Sequence, residues 1–259
     1  MRRLLVTGGA GTLGTALVSL APERDWDIRA TWWQRKPSGS AEWIRTDVRD
    51  PEAVQRAVDG VDAVIHTAYL QGGDEEWSTN VDGAEAVAQA AAGRRLVHLS
   101  SDIVFDGTLG RYREEDLPAP VNAYGRSKAE AEFRVANAYP PATIARTSLI
   151  YGIPDGPQER LAREGTRFYV DELRSPVHVD DLARALLEVL DLDVPGPLHL
   201  AGADDVSRFE LAILLGADED RIERAQTTPD RAPDVTLDSS QAAQLLVMRL
   251  RGVREVLTR

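Results

Sequence analysis

The sequence predicts an α/β protein, a doubly wound parallel sheet carrying a small C-terminal lobe, and three observations predict it. Short apolar runs alternate with amphipathic helical stretches up to about residue 150, the pattern of parallel strands joined by crossover helices. A glycine cluster, Gly8-Gly9-Ala10-Gly11-Thr12-Leu13-Gly14, separates the first strand from the first helix. Past residue 150 the alternation weakens into a Pro/Gly loop and scattered helices. The expected division is a dinucleotide-binding domain over 1–150 and 177–200, with a substrate-binding lobe over 151–176 and 201–259.

Element by element, Arg3 to Thr7 is a strand that stops at glycines, and Leu13, Ala16, Leu17 and Leu20 recur at helical spacing. Ile28 to Trp32 and Trp43 to Ile44 read as strands. Asp50-Pro51 supplies an N-cap and a first helical residue for the face Val54, Ala57 and Val58. Val61 to Thr67 follows as a strand, then a helix marked by Val81, Ala84, Ala88 and Ala91, and a strand from Leu96 to Leu99. A helix containing Ala129 to Val135 leads into the strand Thr143 to Ala145. The lobe region contributes a helix near Asp180 to Leu190, a strand at Leu198 to Leu200 and helices near 207–215 and 239–247.

Composition narrows the functions. The chain has 259 residues with 30 Lys+Arg against 42 Asp+Glu, a net charge of −12, which disfavours broad binding to nucleic acid or an anionic membrane. With no cysteine there are no disulfides, thiolate metal sites or Cys nucleophiles, and the default location is the cytoplasm. Met1-Arg2-Arg3 ahead of an apolar stretch resembles a signal peptide, but the regularly spaced glycines identify a turn instead. His66, His98, His178 and His199 lack ligand spacing, so no metal is expected. Neither G-x-S-x-G nor a Walker P-loop occurs, and Asp74-Glu75-Glu76 reads as a solvated loop.

Gly9-Ala10-Gly11-Thr12-Leu13-Gly14 fits G-x-G-x-x-G in its required context, after a strand and opening a helix. The glycines permit a tight turn, close approach to a pyrophosphate and close helix packing, and the helix N-terminus offers free N–H groups. Gly8, Gly11, Thr12, Leu13 and Gly14 are the expected cofactor contacts. About twenty residues on, where a carboxylate would grip the ribose of NAD, stand Gln34, Arg35 and Lys36; these cations favour NADP(H) over NAD(H).

Tyr124 and Lys128 are four apart behind a plausible cap, Asn122, so they share one face of a helix. An ammonium beside a phenol stabilises the phenolate and so favours proton donation to a reacting carbonyl oxygen. Ser101, at the end of a strand, can add a hydroxyl to the same oxygen.

These segments resemble a known family. Thr7 to Gly14, Asn80-Val81-Asp82-Gly83, Ser100 to Gly107, Asn122 to Lys128, Arg146 to Gly152, Val177 to Ala183 and Arg231 to Asp238 are similar, in order and spacing, to the extended short-chain dehydrogenase/reductase superfamily. The nearest likeness is to dTDP-4-dehydrorhamnose reductase-like proteins. The resemblance spans nearly the whole chain and implies a Rossmann-type fold. It implies Tyr124 as acid/base, Lys128 on the nicotinamide ribose and Ser101 orienting the carbonyl. It further implies Asp47 and Val48 by the adenine and Ala68 and Tyr69 beside the cofactor. Candidate walls of a substrate pocket are the loop Tyr69 to Trp77 with Phe105, Asp106, Arg146 and Arg174, arginine being suited to phosphate.

The expected activity is reduction of a ketone, the 4-keto group of a nucleotide-activated deoxysugar, in a protein whose relatives are often homodimers. Two alternatives remain: an epimerase of the same superfamily, or a non-catalytic cofactor-binding subunit like that of methionine adenosyltransferase. Ser100-Ser101-Asp102-Ile103 stands where the family commonly has Ser-Thr-Asp-Tyr, which loses an aromatic. The missing acid after Asp102 disfavours dehydration. The C-terminal half is short, so a smaller substrate is also open.

Overall fold

The computed structural model describes residues 2–38 and 41–258. β1 (Arg2–Thr7) leads through the glycine turn into α1 (Thr12–Leu20), followed by β2 (Trp26–Trp32), β3 (Glu42–Arg45), α2 (Pro51–Val58) and β4 (Ala63–His66). A π-helical turn, Ser78–Asp82, runs directly into α3 (Gly83–Ala90), and β5 (Arg95–Ser101), α4 (Ala123–Ala138) and β6 (Thr143–Thr147) complete this stretch. The remainder holds β7 (Ile150–Tyr151), α5 (Pro157–Glu164), β8 (Arg167–Tyr169), β9 (Leu173–Arg174), β10 (Val177–His178) and α6 (Val179–Val189). After these come β11 (Gly196–His199), β12 (Val206–Ser207), α7 (Arg208–Leu214), β13 (Glu223–Ala225), α8 (Ser240–Leu245) and α9 (Val253–Leu257).

The main sheet has seven strands in the order β11-β6-β5-β4-β1-β2-β3, and β1 pairs in parallel with β2 and with β4. That order is the Rossmann-type doubly wound arrangement, with its switch point between β1 and β4, where such sheets take ligands beyond the carboxyl ends of their strands. Leu4, Leu5 and Val6 are fully buried because a central parallel strand is covered on both faces. Leu5, Val64 and Leu96 form a core with Val54 and Val58 of α2, Val87 of α3 and Val135 of α4. Asp50 caps α2 as expected, accepting from the N–H groups of Glu52 at 3.0 Å and Ala53 at 3.2 Å.

The chain divides into two compact units. The first runs up to Ser100 and adds Ser127–Ala145 and Leu186–Pro197; the second comprises Ser101–Arg126, Arg146–Ala185 and Leu198–Arg259. This boundary falls at different residues from the expected one, because alternation marks strands and helices but not where a loop packs. Residues after Ser101 pack with the late segment: Tyr112 bridges to Leu237, and a Cβ on Gly107 would lie 2.7 Å from the Pro233 nitrogen. Tyr151, Val206, Leu211 and Val253 form one small core in the second unit, and Ala162, Phe168, Phe209 and Ala212 another. The helix expected over 239–247 ends at Leu245, since Leu246 turns extended and Val247 is exposed. Among the described residues no helix is long and apolar enough to cross a membrane.

Candidate functional site

In the first unit the glycine turn is shaped by close backbone approach. Gly8 has φ +67, and a Cβ there would stand 2.7 Å from the Ala68 nitrogen, so the turns after β1 and β4 touch through backbone alone. A Cβ on Gly14 would meet the Gly8 carbonyl at 2.3 Å, which lets α1 start against the turn. Gly11 caps α1 with no side-chain hydrogen bond, and no acidic residue lies in the first turn, so the N–H groups there remain available to an anion.

A cleft of about 860 Å³ opens over this turn and is lined by Gly8, Gly11, Arg35, Lys36, Asp47, Val48, Ala68 and Tyr69, eight of the residues expected from sequence. Thr12, Leu13 and Gly14 are outside its lining; Leu13 is buried and Gly14 packs on Gly8. Sequence reasoning missed Arg49, and it read Glu75 as part of a solvated acidic run and, within the loop Tyr69 to Trp77, as a candidate wall of the substrate pocket; both residues line the cleft. Arg49 binds Asp47 through Nε at 2.9 Å and Nη2 at 2.7 Å, and its other nitrogen reaches Glu75. The hydrogen bond from Arg49 holds the Asp47 carboxyl below the usual range. The signal was the local Asp-x-Arg spacing at 47–49; nothing local marked its Glu75 partner.

The catalytic candidates lie on β5 and α4. Asn122 caps α4 by accepting from the Gly125 N–H at 2.8 Å, as its position predicted. Tyr124 and Lys128 are one turn apart on this helix. Lys128 is 4% exposed and donates to the Leu99 carbonyl at 2.7 Å, and burial lowers its pKa to about 8. Nearby, buried Asn80 donates to the Ser127 hydroxyl at 2.9 Å and bonds both backbone groups of Leu70, tying the loop after β4 to α4.

Gly125 seats Ser101. A Cβ there would lie 2.4 Å from the Ile103 carbonyl, so only glycine lets the turn after Ser101 press on the first turn of α4. Gly125→Ala is expected to cost about 1–3 kcal/mol of stability through overpacking against backbone. It should also lower kcat about tenfold or more by displacing Ser101, as a 1 Å misplacement can. Thermal melts and steady-state kinetics measure the two; an alanine variant with the parent's Tm and kcat would show that the turn has slack.

The four candidate pocket residues are all in the second unit and largely inward. Phe105 is fully buried, stacked on Tyr112 with centroids 4.1 Å apart, and the Arg146 guanidinium lies 5.0 Å over its ring. Asp106 accepts from the Tyr112 hydroxyl at 2.5 Å, which lowers its pKa. Arg174 is turned onto Asp102, at 2.8 Å from Nε and 2.6 Å from Nη2, and a phosphate role for it would require that pair to open. Among the described residues no group of three His, Asp or Glu side chains is placed to hold a metal ion.

The family model for the RmlD substrate binding domain matches residues 1–257. The chain belongs to that family. Within the RmlD family the chain is 33% identical to a dTDP-4-dehydrorhamnose reductase of Mycobacterium tuberculosis, over 97% of this chain and 89% of that one. It is 28% identical to the methionine adenosyltransferase 2 subunit beta of Bos taurus, over 96% of this chain and 81% of that one. The crystal structure of a Bacillus anthracis dTDP-4-dehydrorhamnose reductase in complex with NADP has the same fold, with a TM-score of 0.82 and 24% identity over 100% of this chain and 98% of that one. As an RmlD-family protein of the extended short-chain dehydrogenase/reductase superfamily, the chain is an oxidoreductase.

Proposed function

We propose that this protein reduces the 4-keto group of a nucleotide-activated deoxysugar, with NADPH preferred and Tyr124 as proton donor. The observation that carries the reading is the pair on α4, in which buried Lys128 is fixed on the Leu99 carbonyl one helical turn from Tyr124. The cleft over the glycine turn fits a dinucleotide: Gly8 and Gly11 line it without side chains, Gly14 lets α1 start against the turn, and the α1 N-terminus offers unspent N–H groups. Gly8, Gly11, Ala68 and Tyr69 would hold the cofactor, with Asp47 and Val48 toward the adenine.

Arg35 and Lys36 are exposed at the cleft edge without an ion pair among the described residues. Asp47, a carboxylate that would repel a 2′-phosphate, is paired with Arg49, which it shares with Glu75. The exposed cations favour NADPH. When bound, the nicotinamide supplies hydride to the carbonyl carbon. Tyr124 gives its hydroxyl proton to the carbonyl oxygen, and the Lys128 ammonium stabilises the phenolate left behind. The relative from Mycobacterium tuberculosis supports dTDP-4-dehydrorhamnose as the first substrate to assay.

Titration of cofactor-free protein with NADPH and NADH, followed by nicotinamide fluorescence, should show tighter NADPH binding. Arg35→Ala should weaken NADPH about tenfold, the scale of a charge-assisted phosphate bond at 1.4 kcal/mol, and leave NADH unchanged. Equal affinities in the parent would remove the 2′-phosphate reading. NADPH consumption with dTDP-4-dehydrorhamnose then tests the reaction, and cofactor binding without turnover would favour a regulatory role like that of the subunit beta relatives.

A further inference from the structure

Asp102 follows the expected active-site hydroxyl and is fully buried, yet it has no assigned role. Its Oδ1 accepts from the Ser101 hydroxyl at 3.0 Å and from Arg174 Nη2 at 2.6 Å. Its Oδ2 accepts from Arg174 Nε at 2.8 Å and from the Ser148 hydroxyl at 2.6 Å. Four donors saturate the carboxylate, so it has no proton to give and no oxygen left for a ligand. This arrangement also separates Asp102 from the acid that a dehydration would need.

We propose that Asp102, clamped by Arg174 and Ser148, is a positioning residue that orients the Ser101 hydroxyl. A carboxylate held by Arg174 only accepts, so the proton in the Ser101 to Asp102 bond belongs to Ser101. That bond fixes the torsion of the hydroxyl, and the Ile103 N–H at 3.4 Å holds the same oxygen; the Ser101 proton is thereby turned from the carbonyl oxygen to which the resemblance has it donate, and its remaining lone pair is what a ligand O–H can meet. The clamp is itself anchored. Arg174 Nη1 lies 3.4 Å from buried Glu172, which also takes the Arg231 Nε bond at 2.7 Å. Ser148 is held from behind by the Ser175 N–H at 3.2 Å.

A buried ion pair is a poor source of net stability, because well-packed apolar side chains of similar volume often do as well. What such a pair adds is direction, since it cannot rotate without stranding a charge. Within the clamp, the bond from Ser101 is the link to the expected active-site hydroxyl, and the double variant isolates it.

This inference rests on the proposed reductase reading, and the test separates the two. Steady-state kinetics with NADPH and dTDP-4-dehydrorhamnose would compare Asp102→Asn, Ser101→Ala and the double variant. The expected result is a fall of about tenfold or more in kcat for Asp102→Asn, a smaller change in KM, NADPH affinity within about twofold, and no further loss when Ser101 is already alanine. A wild-type kcat for Asp102→Asn, or the same proportional loss with and without the Ser101 hydroxyl, would overturn it. Should Asp102→Asn fail to fold around unpaired Arg174, Ser148→Ala leaves both charges in place and is read in the same cycle. It should cost a few-fold in kcat only while Ser101 is present, and no such loss, or an equal loss in both backgrounds, counts against the proposal. Absence of turnover by the wild-type protein removes the reductase reading and this inference with it, whereas an additive cycle in an active enzyme removes this inference alone.

Discussion

Replacing Tyr124 with phenylalanine is expected to lower kcat by about two orders of magnitude or more while leaving NADPH affinity within about twofold. The substitution keeps the ring and its packing on α4 and deletes one atom, the oxygen that carries the transferred proton. Without a positioned acid the developing alkoxide takes its proton from water, and general acid catalysis of this kind typically contributes about 10²- to 10⁴-fold. Lys128 remains on the Leu99 carbonyl in this variant, so the helix turn that presents the site is unchanged. The expected signature is therefore a loss in kcat with binding preserved. Equal kcat in the two proteins would take the acid role away from Tyr124, and a loss confined to KM would make it a substrate contact instead.

How much of this was legible in the sequence depended on how far apart the partners lie along the chain. The glycine turn and the α4 pair were readable because their parts are within one turn or one helix, where spacing fixes geometry. The Asp50 cap was readable for the same reason. Arg49 to Glu75 spans 26 residues and Arg174 to Asp102 spans 72, and neither arginine's partner is implied by its neighbours. Arg174 was expected to face a phosphate because arginine commonly does; in the structure its donors are spent on Asp102 and Glu172.

The same limit hid the short strands. β8 and β13 are three residues each and pair with one another across more than fifty residues, so neither shows a period of its own. Gly125 was visible as a letter within a motif, but its necessity is a contact with the Ile103 carbonyl, which only the fold supplies.

Acid should destabilise this protein well before its carboxylates titrate, because three histidines are buried without charge. Thr7, His66 and His98 are side by side across β1, β4 and β5. The Thr7 hydroxyl and His66 Nδ1 are 2.6 Å apart, while His66 Nε2 and both ring nitrogens of His98 have no hydrogen-bond partner among the described residues. Burial, and then the Lys128 ammonium, push His66 down to about 3 and His98 well below its ordinary value. Burial and then Arg146 push His199 down to about 4. Above pH 6.5 these groups are neutral in both folded and unfolded chains and contribute nothing to the pH dependence. As pH falls below 6.5 the unfolded chain binds protons that the folded chain refuses, and each such histidine removes about 1.4 kcal/mol of stability per pH unit. The loss from His66 continues to about pH 3 and that from His199 to about pH 4. Below pH 6.5 His98 contributes to this loss in the same direction as His66, because burial and the Lys128 ammonium both disfavour its charged form. His98→Leu removes that contribution and strands no polar partner, so urea melts between pH 6.5 and 4.5 should show the variant losing less stability than the parent as the pH falls. Parallel pH profiles for the two proteins would mean that His98 takes up a proton inside the fold, and that the carboxylates, not the histidines, set the acid limit.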